Sequence, residues 1–205
     1  MAGQTTNYLF DYPTSTDYVK DGATAIQTLA TDVDTTLFTA LGGAYPGLRL
    51  VKKQTIGSGV SSVNVTSAFS ATYENYKIIV NGGVGSATTA VAFKLGASTT
   101  TYNEFLIYGN YSSATVGGAA QSTSPHFGWA GGCSANGIYM NIDLQSPFLA
   151  KYTRMGTSQA YIGETETGTN SGLHKTATSY TDFTITPTTG TLTGGTIYVY
   201  GYGIS

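Results

Sequence analysis

Apolar residues recur at every second position through much of the chain after Leu48, and this alternation constrains the fold more than any other feature. It is clearest in the segment GGTIYVYGYGIS, residues 194–205. Successive side chains of a β-strand point to opposite faces of the sheet, so the segment predicts a strand with two distinct faces. One face holds Tyr198, Tyr200 and Tyr202. The other holds Ile197, Val199, Gly201 and Gly203.

Several earlier segments show the same alternation, each with one apolar face. The predicted core positions are Val63, Val65, Phe69, Tyr76, Ile78, Val80, Val91, Phe93, Leu95, Ile138, Met140, Ile142 and Leu144. Gly-, Ser-, Asn- and Thr-rich runs such as NGGVGSA and TGTNSG separate the segments and indicate loops. Many short strands without helical periodicity between them favour two packed antiparallel sheets. We therefore predict a mainly β protein, in which residues 44–205 form an antiparallel, jelly-roll-like β-sandwich.

Residues 21–41 carry the one convincing helical pattern. Asp21 can cap the start of the helix, and the glycines at 42 and 43 can stop it. The apolar residues recur at intervals of three and four, at Ile26, Leu29, Val33, Leu37 and Leu41. A stripe this narrow is typical of a coiled-coil seam. The pattern predicts that residues 21–43 form a short helix in a three-chain bundle, the alternative being a helix packed on its own domain.

The first 20 residues have no periodicity but are rich in aromatic side chains. Pro13 removes a backbone donor and favours extended geometry in the residue before it. We therefore predict an extended arm that docks onto another protein or onto its own oligomer, the alternative being an unstructured terminus. The candidate attachment residues are Tyr8, Leu9, Phe10, Tyr12, Pro13 and Tyr18.

The charge of the chain argues against two classes of partner. Only 10% of the residues are charged, against about 25% in ordinary soluble domains, and the formal net charge is −2. The one basic cluster, Arg49 with Lys52 and Lys53, divides between two faces of a predicted strand, whereas nucleic-acid binding needs a clustered basic face. No apolar run reaches the ~20 residues of a membrane span, and the start lacks a signal-peptide pattern. We expect neither nucleic acid nor membrane as a partner, and assembly in a cytoplasm.

Few side chains offer catalytic chemistry. Cys133 is the only cysteine, so an intrachain disulfide is impossible. A Cys–His pair can form a nucleophile, but FGWAGG between His126 and Cys133 contains no motif. Glu164 and Glu166 could pair for glycoside hydrolysis, although their flanks indicate a solvated loop. Two histidines and one cysteine match no metal-ligand spacing. We predict no catalytic residue, no metal site, no cofactor and no enzymatic activity.

Aromatic side chains in loops could contact a receptor, because their rings stack on sugars. The candidates are Tyr108, Tyr111, Trp129 and His174. The alternative for each of them is ordinary packing in the core or at a sheet edge.

Two parts of the sequence resemble proteins of tailed bacteriophages. SAFSATYENYKIIVNG (67–82), SPF (146–148) and GGTIYVYGY (194–202) resemble a β-domain that recurs in tail fibres and other virion proteins. DYPTSTDYVKDGATAIQTLATDVDTTL (11–37) resembles the attachment arm and short helix that begin many phage minor structural proteins. The stretch 97–180 matches only in style.

This resemblance implies a non-enzymatic virion structural protein: a homotrimeric short tail fibre or appendage. Residues 1–20 would anchor it to other virion proteins of the tail or capsid, and loops of the β-domain would contact a host cell-surface glycan. The tyrosines of the last strand would meet a sister subunit, and Gly201 and Gly203 would allow its backbone to approach closely. The alternatives are a capsid decoration or head-fibre protein and, in another class, a carbohydrate-binding module.

Overall fold

The computed structural model describes residues 3–6, 10–12, 14, 18, 21–40, 47–160 and 164–203. The chain divides into two compact units. One comprises Met1–Gly47 with Gly203–Ser205, and the other comprises Leu48–Tyr202.

The smaller unit contains two short strands and the predicted helix. Strand β1 (Gly3–Gln4) pairs antiparallel with β2 (Asp11–Tyr12), and β2 lies beside helix α1 (Gly22–Ala40). The helix is rich in threonine, which has only modest helix propensity. Thr28 and Thr31 each donate a hydrogen bond from Oγ1 to the carbonyl four residues earlier, at 3.0 Å. These hydroxyls are thereby satisfied within the helix itself.

From residue 47 onward, the described chain forms fifteen strands. They are β3 (Gly47–Thr55), β4 (Val63–Val65), β5 (Asn75–Asn81), β6 (Val84–Gly85), β7 (Thr89–Leu95), β8 (Tyr102–Asn110), β9 (Val116–Ser124), β10 (Phe127–Ser134), β11 (Gly137–Tyr139), β12 (Asn141–Gln145), β13 (Thr153–Ala160), β14 (Glu166–His174), β15 (Phe183–Pro187), β16 (Leu192–Thr193) and β17 (Thr196–Gly203).

The strands form two main sheets. The five-stranded sheet has the order β11-β10-β7-β15-β4, and the eight-stranded sheet has the order β3-β17-β5-β12-β13-β14-β8-β9, so β3 and β9 are its edges. Strands β16 and β6 form a separate two-stranded ribbon. The pairings within the five-stranded sheet, and those from β17 through to β9, are antiparallel.

The connectivity is that of a jelly roll with one inserted hairpin. A jelly roll arises when an antiparallel ribbon of eight strands wraps into two sheets. Such a ribbon contains four strand pairs, and three of them are hydrogen-bonded directly: β4 with β15, β7 with β10, and β8 with β9. The fourth pair would be β5 with β14, but the hairpin β12–β13 is inserted between these two strands. The predicted fold class, a mainly β jelly-roll-like sandwich with one short helix, is confirmed.

The alternating segments supply the core, as predicted. All thirteen predicted core side chains from Val63 to Leu144 are buried, as are Ile197 and Val199. Phe183 packs at the centre, with ring centroids 4.9 Å from Phe93 and 5.6 Å from Phe69. Burial of this apolar surface is the main source of stability in a chain without disulfides.

Two glycines in the sheets make room for aromatic rings of the same chain. A Cβ at Gly172 would clash with the ring of Phe127, and one at Gly201 would clash with the ring of Tyr73. The expectation that Gly201 admits the backbone of a sister subunit is therefore wrong, because Tyr73 already fills that space. Gly203 is partly buried.

Among the described residues, no helix combines the length and apolar character needed to cross a membrane.

Candidate functional site

The predicted stripe of α1 is largely exposed. Ile26 and Leu37 are 65% and 56% exposed, whereas Leu29 and Val33 are partly buried. Phe38, which the stripe did not include, is 60% exposed. Leu41 lies outside the described residues. These large apolar side chains are therefore available to another chain.

The attachment candidates divide in the same way. Tyr12 and Tyr18 are exposed, and Phe10 is partly buried. Tyr8, Leu9 and Pro13 lie outside the described residues.

The tyrosines of β17 lie on the outer face of the eight-stranded sheet and contact their own chain. The rings of Tyr198 and Tyr200 lie side by side with centroids 6.3 Å apart, and both are partly buried. The Tyr202 hydroxyl donates to Asp143, whose other oxygen binds Lys77 Nζ at 2.9 Å. Burial, together with the Asp143 carboxylate, raises the pKa of Tyr202 to about 12. Much of this tyrosine surface is thus used within one subunit.

The four receptor candidates occupy different environments. Tyr111 is 70% exposed, whereas Tyr108 and Trp129 are partly buried. His174 has no exposed surface, so its predicted receptor contact is wrong. Its strand, β14, turns this side chain towards the core, whereas the predicted receptor contact requires a loop.

His174 instead organises a buried polar network. Its Nε2 lies 2.8 Å from the Tyr180 hydroxyl and 3.2 Å from Ser98 Oγ, and its Nδ1 lies 3.2 Å from Thr101 Oγ1. The imidazole stacks on the Tyr102 ring with centroids 4.0 Å apart. Burial lowers the pKa of His174, which favours the neutral ring. The network connects β14 to the loops that flank β8 and β15.

Two of the residues considered for catalysis, Cys133 and Glu164, contact other groups. Cys133 is fully buried with its Sγ 3.7 Å from Ala87 O, and burial raises the pKa of the thiol, which makes it a poor nucleophile. Glu164 is exposed and accepts a hydrogen bond from Asn136 Nδ2 at 2.8 Å. Over the described ranges, no three His, Cys, Asp or Glu side chains gather where a metal ion could bind.

A buried carboxylate, missed by the sequence analysis, joins the two sheets. Glu104 on β8 is 5% exposed and accepts hydrogen bonds from Gly128 N at 2.5 Å, Trp129 N at 3.4 Å and Asn170 Nδ2 at 2.6 Å. Burial raises the pKa of Glu104 although these donors oppose the shift. Its donors come from β10 and β14, so one side chain connects strands of both sheets. The alternation Tyr102–Glu104–Leu106 placed it on the buried face.

A cleft of about 360 Å³ lies across β9, β8, β14 and β13. The residues that line it include Asn103, Phe105, Ser122, Arg154, Ser171 and Leu173. Two cross-strand rows build it. Arg154, Leu173 and Asn103 form one row. Ser171 and Phe105 belong to the next row.

The wall of the cleft at Asn103 is held in place by hydrogen bonds. Its Nδ2 donates to Thr101 O at 2.9 Å, and its Oδ1 accepts from Ser122 Oγ at 3.0 Å. By contrast, Phe105 is 53% exposed, and Arg154 is exposed. Within the part of the chain that the structure describes, the Arg154 guanidinium makes no ion pair. The cleft therefore presents one aromatic ring and one uncompensated cation to solvent.

Comparison with known proteins finds no matching family model, and no significant match to a curated protein or a solved structure.

Proposed function

We propose that this chain is a non-enzymatic structural protein of a bacteriophage virion. It acts as a homotrimeric short tail fibre or appendage, joined to other virion proteins by residues 1–20 and exposed to the host surface through its β-domain. The observation that carries the proposal is the exposure of Ile26 and Leu37 in the apolar stripe of α1. The phage-like segments at both ends of the chain support the virion setting.

The spacing of the stripe supports assembly through α1. Positions three and four residues apart fall on one seam of a coiled coil. In α1 the stripe residues Ile26, Leu29, Val33 and Leu37 recur at intervals of three and four. An isolated helix of 19 residues is only marginally stable in water. Burying a large apolar side chain contributes about 1.5–3 kcal/mol, so pairing these helices between copies would stabilise both the helix and the oligomer.

We expect purified protein to have three times the 21.3 kDa subunit mass by light scattering. Leu37→Asp should yield a monomer, because a carboxylate cannot be buried in an apolar seam without a partner. Thr35→Asp, on the exposed opposite side of the same helix, is the matched control and should retain the trimer. A wild-type protein that stays monomeric at micromolar concentration would refute assembly through this stripe.

Particle incorporation tests the virion role separately. A variant lacking residues 1–20 should remain a soluble trimer and be absent from purified particles, because the attachment residues are removed while the seam is kept. Quantitative blotting of purified particles measures the effect, with full-length protein as the control. Normal incorporation of the shortened chain would exclude the arm as the anchor.

A carbohydrate-binding module remains the second candidate, and the outward cleft with Phe105 and Arg154 is the observation that favours it. A monomeric fragment of residues 44–205 that binds glycans, with no assembled partner, would support this reading over the virion role.

A further inference from the structure

The geometry points to the cleft between Arg154 and Phe105 as a binding site for a sugar that carries a carboxylate. This inference deepens the proposed function, since it names the ligand class of the host-contacting β-domain. The inference rests on the proposed function only in taking this ligand to be a sugar of the host surface.

The cleft is an open depression on the face of the sheet, in which short side chains separate larger ones. Gly156 is the strand neighbour of Ser171, which is itself the neighbour of Phe105. A Cβ built on Gly156 would meet nothing within 4 Å, so the space above this glycine is open. Arg154 and Phe105 both line the cleft, and its volume is about 360 Å³.

Phe105 provides an apolar platform for a sugar ring. Half of its surface is exposed although it belongs to a central part of the strand, and its Cζ lies 3.6 Å from the position of a Cβ on Gly118. The absence of a side chain at Gly118 leaves the phenyl ring close to the β9 backbone. An aromatic ring that is fixed in this way contributes contact area at little cost in conformational entropy.

The charge at the cleft selects an anionic ligand. Arg154 is the only cation among the residues that line it. Its guanidinium can bind a carboxylate through two parallel hydrogen bonds, an arrangement that lysine cannot reproduce. The one acidic residue at the cleft, Glu104, is buried and bonded to its own donors. Asp143 of β12, the strand neighbour of Gly156, is an exposed carboxylate beside these rows, but it is paired with Lys77 and with the Tyr202 hydroxyl.

The remaining surface favours a sugar over an acidic peptide. Ser122 and Ser171 bring hydroxyl groups to the rim, and these can exchange hydrogen bonds with sugar hydroxyls. An acidic peptide would use Arg154 but would leave the hydroxyl-lined rows without a specific role.

Titration of the full-length protein with glucuronate and with glucose tests the inference, since these ligands differ only in the carboxylate. We expect glucuronate to bind about threefold to fivefold more tightly by NMR or calorimetry, because an ion pair formed at an exposed arginine gains only a modest free energy. Arg154→Gln should remove most of this preference. Arg49→Gln, the same charge change in β3, is the matched control and should retain it. Phe105→Ala should weaken both sugars by about tenfold.

Three results would overturn the inference: equal affinity for the two sugars, unchanged binding in Arg154→Gln, or N-acetylaspartate binding as tightly as glucuronate. The last would assign the cleft to acidic peptides. The subunit mass is measured on the same samples. A monomer that still prefers glucuronate would refute the trimer and support the sugar site. A trimer without this preference would support the trimer and refute the sugar site.

Discussion

Replacing Phe183 with alanine is expected to lower the free energy of unfolding by about 3–5 kcal/mol. The ring has no exposed surface and stacks between Phe69 and Phe93. Its strand, β15, lies inside the five-stranded sheet between β7 and β4, so the neighbouring strands cannot close the cavity without losing their register. The chain has no disulfide to offset the loss.

Urea denaturation followed by circular dichroism measures this effect. Phe105→Ala removes the same side chain at a position that is 53% exposed, and should change stability by no more than about 0.5 kcal/mol. Similar losses in the two variants would mean that the stacked phenylalanines are not the centre of the core.

Glu104→Leu is expected to cost about 3 kcal/mol or more, because it leaves buried donors without an acceptor. The strongest of these donors are Gly128 N and Asn170 Nδ2. Glu104→Gln keeps the shape and one acceptor oxygen, so its cost should be smaller. Equal stability of Glu104→Leu and wild type would show that the carboxylate contributes nothing to joining the sheets.

The same residue predicts a dependence on pH. Burial raises the pKa of Glu104 above the unfolded value of about 4.3. Its contribution to stability is therefore fully present below that value and is lost as pH rises through the folded pKa. Glu104→Gln has no titrating group at this position. The free energy of unfolding of wild type minus that of Glu104→Gln should therefore fall as the pH rises above about 4.3, and a constant difference would contradict the assignment.

Strands that bury only one face are predicted well from the sequence. In TAVAFKL and GIYMNIDL the apolar positions alternate with polar or small ones, and the structure buries the predicted side chains. Strand β10, FGWAGGCS, is different because nearly all its residues are buried and several are glycines. Without alternation, its pattern resembles a loop. This is why Phe127, which packs edge-on against Tyr102, was not among the predicted core residues.

The polar sites depend on long-range register, which no local pattern contains. Arg154 and Phe105 line the same cleft only because β13 and β8 flank β14 in the sheet. His174 was misplaced because its strand is rich in glycine, serine and threonine, a composition that also describes exposed loops. Glu104 is not among the predicted buried residues because carboxylates are seldom buried, although it alternates with the buried Tyr102 and Leu106.

The two edge strands of the eight-stranded sheet differ in charge, and this difference affects aggregation at high protein concentration. Strand β3 carries Arg49, Lys52 and Lys53, and charges of this kind deter foreign strands from adding to a sheet. Strand β9, VGGAAQSTS, has neither a charge nor a proline over its nine residues. In a concentrated solution, aggregation by strand addition therefore starts at β9. How long the protein stays in solution depends on how well the nine residues of this edge strand are covered.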